Sequence, residues 1–205
     1  MKKVLLIYGG HEFHKPKDTI ELFLPFLKEN GFALEMHDNI DIYGEKRLDE
    51  FDIIIQNYGE GSIKPDQEKN LLNTIHKGTG FAGWHAGVTD AFRNALEYQH
   101  MTGGQFVFHP PAGEYEVLIT DKEDEITKNI NNFKINSEQY YLHVDPSIKP
   151  LAITVFENGV RMPVVWKRMW GDGKVFYLSA GHDEKDFRIP EVMEIMKRGI
   201  LWAVR

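Results

Sequence analysis

The sequence predicts an α/β fold: a parallel sheet with helices on both faces and a β-hairpin addition in the second half. Two observations carry this. From residue 4 to about residue 101, short apolar runs alternate with amphipathic stretches, and such β-α alternation implies a parallel sheet covered on both sides. Later, two strand-like segments (163–169 and 174–179) flank Trp170-Gly171-Asp172-Gly173, a hairpin signal. No repeat, low-complexity tract or linker interrupts the 205 residues, so a single domain over 1–205 is expected.

Residues 4–8, stopped by Gly9-Gly10, read as a buried parallel strand. Residues 18–30 place Ile20, Phe23, Leu24 and Leu27 at helical spacing before Asn30-Gly31, with Pro25 kinking or shortening that helix. Residues 32–37 and 52–57 are the next two strands, the latter running into Tyr58-Gly59-Glu60-Gly61. A helix from Pro65 to Lys77-Gly78 turns Leu71, Leu72 and Ile75 inward. A fourth strand follows over 78–82, and residues 88–101 read as one helix. Beyond it, 103–111 is a loop or short strand, 115–119 a strand, and 121–132 a solvated turn with a short helix. The run 133–144 is strand-like throughout, 151–156 is a further strand, and 190–204 is a closing amphipathic helix.

Composition narrows the function. Hydrophobic residues make up 42%, enough for a packed core, and the net charge of -7 argues against a nucleic-acid partner, which wants a basic footprint. The apolar run after Met1-Lys2-Lys3 is too short for a signal peptide and no run reaches transmembrane length, so a cytoplasmic protein without a membrane partner is expected. The absence of cysteine rules out disulfides, thiolate zinc sites and thiolate acyl transfer.

One stretch organises the rest. Gly83-Trp84-His85-Ala86-Gly87 stands where the fourth strand turns into a helix, the pattern of a nucleophile elbow. Small flanking residues let strand and helix approach, and the central side chain is forced up from the sheet edge. Here that side chain is His85. Ligands bind outside the carboxyl ends of parallel strands, so the loops carrying His11 and His14, Tyr58 and Glu60, and Trp84 and His85 should open on one edge.

Four further segments resemble the ThuA-like family, the trehalose-utilization proteins. They are Gly103-Gly104-x-Phe106-x-x-His109-Pro110, Ser137-Glu138-Gln139-Tyr140, Pro163-Val164-Val165-Trp166 and the run from Gly173 through Gly181-His182-Asp183. The resemblance implies a flavodoxin-like, class I glutamine amidotransferase-like fold and a link to disaccharide or keto-sugar metabolism. His85 would occupy the position of that fold's catalytic cysteine, and His182 the position of its catalytic histidine. The resemblance also implies pairing into a homodimer.

On this reading His85, Glu138 and His182 are the catalytic candidates, because imidazole and carboxylate groups carry acid–base chemistry near neutral pH. His11, His14, Tyr58, Trp84, His109, Tyr140, His143 and Asp183 are candidates for binding substrate, the aromatics by offering flat faces to a sugar ring. Asp183 is placed to orient His182. His37, His76 and His100 look ordinary. A His/Glu set without cysteine suits a catalytic divalent metal such as zinc, but no His-Glu-x-x-His spacing is present and the metal question stays open. No nucleotide cofactor is expected, since the loop at 58–61 lacks a phosphate-cradling pattern. The function expected is a hydrolase- or isomerase-type enzyme acting on a small sugar. The alternative is a non-catalytic sugar-binding or regulatory module.

Overall fold

In the computed structural model, which describes residues 1–205, the β-α alternation is in place. Strands β1 (Lys3–Gly9), β2 (Ala33–His37), β3 (Ile53–Tyr58) and β4 (Gly80–Trp84) alternate with helices α1 (Pro16–Glu21), α2 (Leu24–Glu29) and α3 (Pro65–His76). Then come α4 (Ala86–Thr89), α5 (Leu96–Thr102), β5 (Gly104–Phe108), β6 (Gly113–Ile119), β7 (Phe133–Ser137) and β8 (Tyr141–Val144). The chain closes with β9 (Lys149–Val155), β10 (Arg161–Trp170), β11 (Gly173–Leu178) and α6 (Pro190–Ala203). Nine strands form one sheet in the order β2-β1-β3-β4-β11-β10-β9-β6-β7. The first five are mutually parallel. The remaining four extend the sheet antiparallel, beginning with the β10–β11 hairpin, and β5 and β8 pair in a separate ribbon. The sheet is therefore mixed, and its parallel half sets the edge on which loops collect.

Strand periodicity divides the core. Val4, Leu6, Ile53, Ile55, Ala82, Trp84, Phe176 and Leu178 face α1, α2 and α6, while Leu5, Ile7, Ile54, Phe81, Val175 and Tyr177 face α3, α4 and α5. A strand buried on both faces cannot alternate apolar with polar, which is why these segments read as continuous apolar runs. Ile126 and Ile130 also enter the first cluster, so residues 121–132 are not the solvated turn with a helix that their polarity suggests. Asp121 and Asp124 accept backbone N–H groups within that segment, and Asp124 pairs with Lys149 and Lys167. The carboxylates are spent on shaping a turn that carries its isoleucines inward.

Three other segments depart from expectation. The helix expected over 18–30 is broken into α1 and α2, with Pro25 in the first turn of α2, where its missing N–H costs nothing. The helix expected over 88–101 stops at Thr89 and resumes at Leu96, because the loop after β3 captures the chain between. The Asp90 carbonyl accepts the Glu60 amide at 3.1 Å, the Glu60 carbonyl accepts the Phe92 amide at 3.2 Å, and Phe92 adopts a φ of 48°. The run 133–144 is cut after Ser137, so that β7 pairs with β6 and β8 pairs with β5. Glu138 lies in the crossing between two sheets.

Two outcomes test this packing. Trp166 on β10 is fully buried, 4.2 Å from Tyr177 between ring centroids, and its indole N–H donates to the Thr102 carbonyl at 2.9 Å. Trp166→Ala should lower the free energy of unfolding by about 3–5 kcal/mol in denaturant titration; a loss below about 1 kcal/mol would place the ring outside the cooperative core. On the edge strand β2, hydrogen bonds from Arg47 and His37 lower the Glu35 carboxyl from 4.5 to about 2. A depressed carboxyl stabilises the fold above its unfolded value and loses that contribution as pH falls toward the folded one. The stability gap between wild type and Glu35→Gln should therefore be present at neutral pH and close between about pH 4.5 and 2. A gap that persisted at pH 2 would contradict the ion pair as its cause.

Candidate functional site

The elbow is built as its glycines require. His85, between β4 and α4, has φ 49° and ψ −140°, a sparsely populated backbone state that holds its ring off the end of the sheet. A Cβ on Gly83 would lie 2.3 Å from the Gln56 carbonyl oxygen, and one on Gly87 would lie 2.0 Å from Asn57 Oδ1. Only glycine allows β4 and α4 to sit this close to β3. The His85 amide donates to the Leu178 carbonyl at 2.8 Å, which ties the elbow to the end of β11.

The ring itself is fixed on both sides. Its Nδ1 lies 2.7 Å from the Ser179 carbonyl oxygen, which can only accept, so Nδ1 carries the proton. Nε2 then points its lone pair at Glu138 Oε2, 3.1 Å away. Tyr140 stacks on the imidazole with ring centroids 4.0 Å apart. The ring is 1% exposed, and burial lowers its pKa against the opposing pull of Glu138. Burial thus favours the neutral form of His85, with Nε2 turned toward Glu138.

Two more imidazoles meet the same carboxylate oxygen. His182 Nδ1 lies 3.5 Å from Glu138 Oε2, and His14 Nε2 lies 3.9 Å from it. Centroids of the three rings are 5.0–5.4 Å apart, an almost equilateral arrangement. On the open side, His109 Nε2 is 3.5 Å from Glu138 Oε1, and its Nδ1 donates to the Pro110 carbonyl at 2.8 Å. Burial alone would raise the Glu138 carboxyl, but the three imidazoles hold it well below the usual carboxylate range. His182 moves upward because Glu138 stabilises its charged form more than burial opposes it.

Each member comes from a different strand end. His14 closes a short 3-10 turn after β1, His85 follows β4, Glu138 follows β7, and His182 follows β11. One buried carboxylate knits two of these loops together. Asp186 Oδ2 accepts from the Gly181 amide at 2.8 Å, the His182 amide at 2.9 Å and the Ser137 hydroxyl at 2.8 Å. It therefore sets the positions of His182 and of the residue preceding Glu138. The sequence signal for Asp186 is faint: an acid four residues past His182, before a helix, which is also a common place for a solvated one.

The remaining candidates separate clearly. His11 lies at the rim, 5.1 Å from the His14 ring and 3.6 Å from Glu60 Oε1. Tyr58 packs on Phe92 beside that rim. Tyr140 is buried, so it supports His85 and offers no open face to a ligand. Trp84, expected to bind substrate, is fully buried between Phe23 and Phe187, because it points to the opposite side of the strand end from its neighbour His85. His143 is exposed on β8, on the opposite face from Leu142, and does not reach the cluster. Asp183 does not orient His182; its Oδ1 accepts the Lys185 amide at 2.7 Å, and Asp186 does the work expected of it. Phe13 was not among the expected residues. Its ring is 67% exposed and stands 5.6 Å from His182 and 6.1 Å from His14, above the cluster. A depression of about 540 Å³ beside Gly9, Gly10, Lys15 and Asp38 contains no member of the cluster. No helix is long and apolar enough to cross a membrane.

Known proteins give the fold a context. A ThuA-like protein from Bacteroides uniformis superposes with a TM-score of 0.80 at 20% identity, covering 98% of this chain and 91% of its own. A ThuA-like protein from Parabacteroides merdae gives 0.80 at 17% identity, with 98% and 89% covered. A β-galactosidase from Bacillus circulans gives 0.65 at 13% identity, with 98% of this chain matching 30% of that one. These likenesses concern the fold, and no curated protein matches the chain. The ThuA family model, described as trehalose utilisation, matches residues 3–203, and the chain belongs to that family.

Proposed function

We propose that the protein is an enzyme of carbohydrate metabolism that acts on a small sugar or keto-sugar by His/Glu acid–base chemistry. One observation carries the reading: imidazoles from three separate loops converge on a single buried carboxylate oxygen at the carboxyl edge of a parallel sheet. The family's description as trehalose utilisation supports the substrate class.

The environments push the partners apart, which divides the labour between acid and base. His85, kept neutral by burial, and Glu138, kept ionised, are proton acceptors. His182, disposed to hold a proton, and His109, half-exposed at the mouth, are donors. On a keto-sugar, an acceptor removes the proton from the carbon next to the carbonyl while a donor protonates the carbonyl oxygen, giving an enediol. Return of a proton to the former carbonyl carbon, with loss of the proton from the neighbouring hydroxyl to an acceptor, completes an isomerisation. Phe13 supplies the open apolar face that Trp84 and Tyr140 do not, and His11 with Glu60 supplies hydroxyl partners at the rim.

His85→Asn and Glu138→Gln should each reduce turnover of a disaccharide or keto-sugar substrate by about 10²–10⁴-fold while circular dichroism remains native. Full activity in both variants would remove the cluster from catalysis. Tight sugar binding by the wild type with no turnover of any member of a sugar panel would replace the enzyme with a binding module. Asp186 is a positioning residue on this account. Asp186→Ala should cost about 1.5–3 kcal/mol of stability for the lost charged hydrogen bonds. Its residual turnover should fall in kcat rather than KM, and Asp186→Asn, which retains an acceptor oxygen, should recover part of both.

A further inference from the structure

His14, His85, Glu138 and His182 each offer one ligand atom, and these four atoms all lie within 4.8 Å of one another. The pairs that meet at Glu138 are separated by 3.1, 3.5 and 3.9 Å. A metal bound by nitrogen and oxygen at about 2.0–2.1 Å in tetrahedral geometry has its ligand atoms roughly 3.4 Å apart, so these spacings bracket a mononuclear centre. Distance alone would not decide between a metal and a hydrogen-bonded cluster.

The placement of the ring atoms adds to the distances. Nδ1–H of His85 is committed to the Ser179 carbonyl, so Nε2 is the ring atom left to face Glu138, at 3.1 Å. His182 Nδ1 is buried, faces the same oxygen and has no hydrogen-bond partner. Three ring nitrogens and one carboxylate oxygen, each from a different loop, thus converge on one point, which is the arrangement of a metal ligand set. Donation of the second ring N–H to a backbone carbonyl is also the outer-sphere support that histidine ligands of metals require, because it fixes the tautomer and the ring angle.

We propose that His14, His85, Glu138 and His182 bind one divalent first-row transition metal ion. Imidazole and carboxylate donors without thiolate suit zinc, manganese or iron, and they disfavour soft monovalent ions. The inference deepens the functional reading, since it takes the same cluster as the reaction centre. His14, His85, Glu138 and His182 would then hold the ion, which would supply Lewis-acid polarisation of a sugar oxygen. Proton transfer passes to His109, which faces Glu138 Oε1 from outside the four-atom set.

The test uses the full chain, stripped with a chelator and titrated with Zn²⁺, Co²⁺ and Mn²⁺ by calorimetry, with elemental analysis of the product. One ion per chain is expected, with visible d–d absorption for Co²⁺. His14→Asn and His182→Asn sit at the partly open side of the cluster and should fold. Each should weaken binding by more than the ~10–100-fold typical of outer-sphere changes. His109→Asn should bind the ion like wild type yet lose turnover, and His143→Asn should change neither. Absence of stoichiometric binding for all three ions, or binding indifferent to both ligand variants, overturns the metal centre. Sugar turnover that survives complete chelation overturns the metal and leaves acid–base catalysis standing. Stoichiometric metal without turnover of any sugar leaves the metal and removes the enzyme reading.

Discussion

The hydrogen bond from His85 Nδ1 to the Ser179 carbonyl is the contact on which the site depends. It forces a single tautomer, and the tautomer forces the remaining lone pair toward Glu138. The bond exists because the His85 backbone is held in a strained conformation, a state that costs of order 1–3 kcal/mol and persists only where surrounding structure over-determines it. Here the determinants are the Gly83 and Gly87 close approaches, the Leu178 carbonyl on the His85 amide, and Tyr140 stacked on the ring. A histidine at an elbow has its side chain held by the same geometry that would present a nucleophile, but can do different chemistry. A thiolate attacks; a fixed neutral imidazole accepts a proton or coordinates.

The fold joins two structural halves at this point. The parallel half, from β1 to β4 with β11, supplies His14, His85 and His182 from its strand ends. The antiparallel half supplies only Glu138, where the chain leaves β7 for β8. Asp186 couples the halves, because the same carboxylate oxygen holds the His182 amide and the Ser137 hydroxyl. Its burial would be costly without those donors, so the coupling is part of the stability of this region as well as of its geometry.

The parallel half was legible because buried strands and amphipathic helices leave strong periodic signals, and the elbow was legible because two glycines bracket one residue. The convergence on Glu138 was legible only as four separate residues, since long-range contacts between strand ends have no fixed spacing in sequence. Errors came where tertiary contacts override local pattern. Glu60 and Asp90 break a helix that residues 88–101 would form alone, and Asp121 and Asp124 turn a polar segment into a core-bearing turn. Trp84 misled because its position beside His85 suggests a shared location, whereas successive residues at a strand end point to opposite faces. Asp183 was credited with a role that belongs to Asp186, three residues further on, and nothing in the sequence ranks the two.

The account rests on the protonation of one ring, and long-range ¹H–¹⁵N correlation NMR of the histidine side chains reads that directly. At neutral pH in the chelated protein, His85 is expected as the Nδ1–H tautomer, with Nε2 unprotonated. An Nε2–H tautomer, or an imidazolium at that pH, would mean that Glu138 is satisfied by an ordinary hydrogen bond. The directed lone pair would then be absent in the metal-free protein, and the case for His85 as the proton acceptor at the elbow would fall with it.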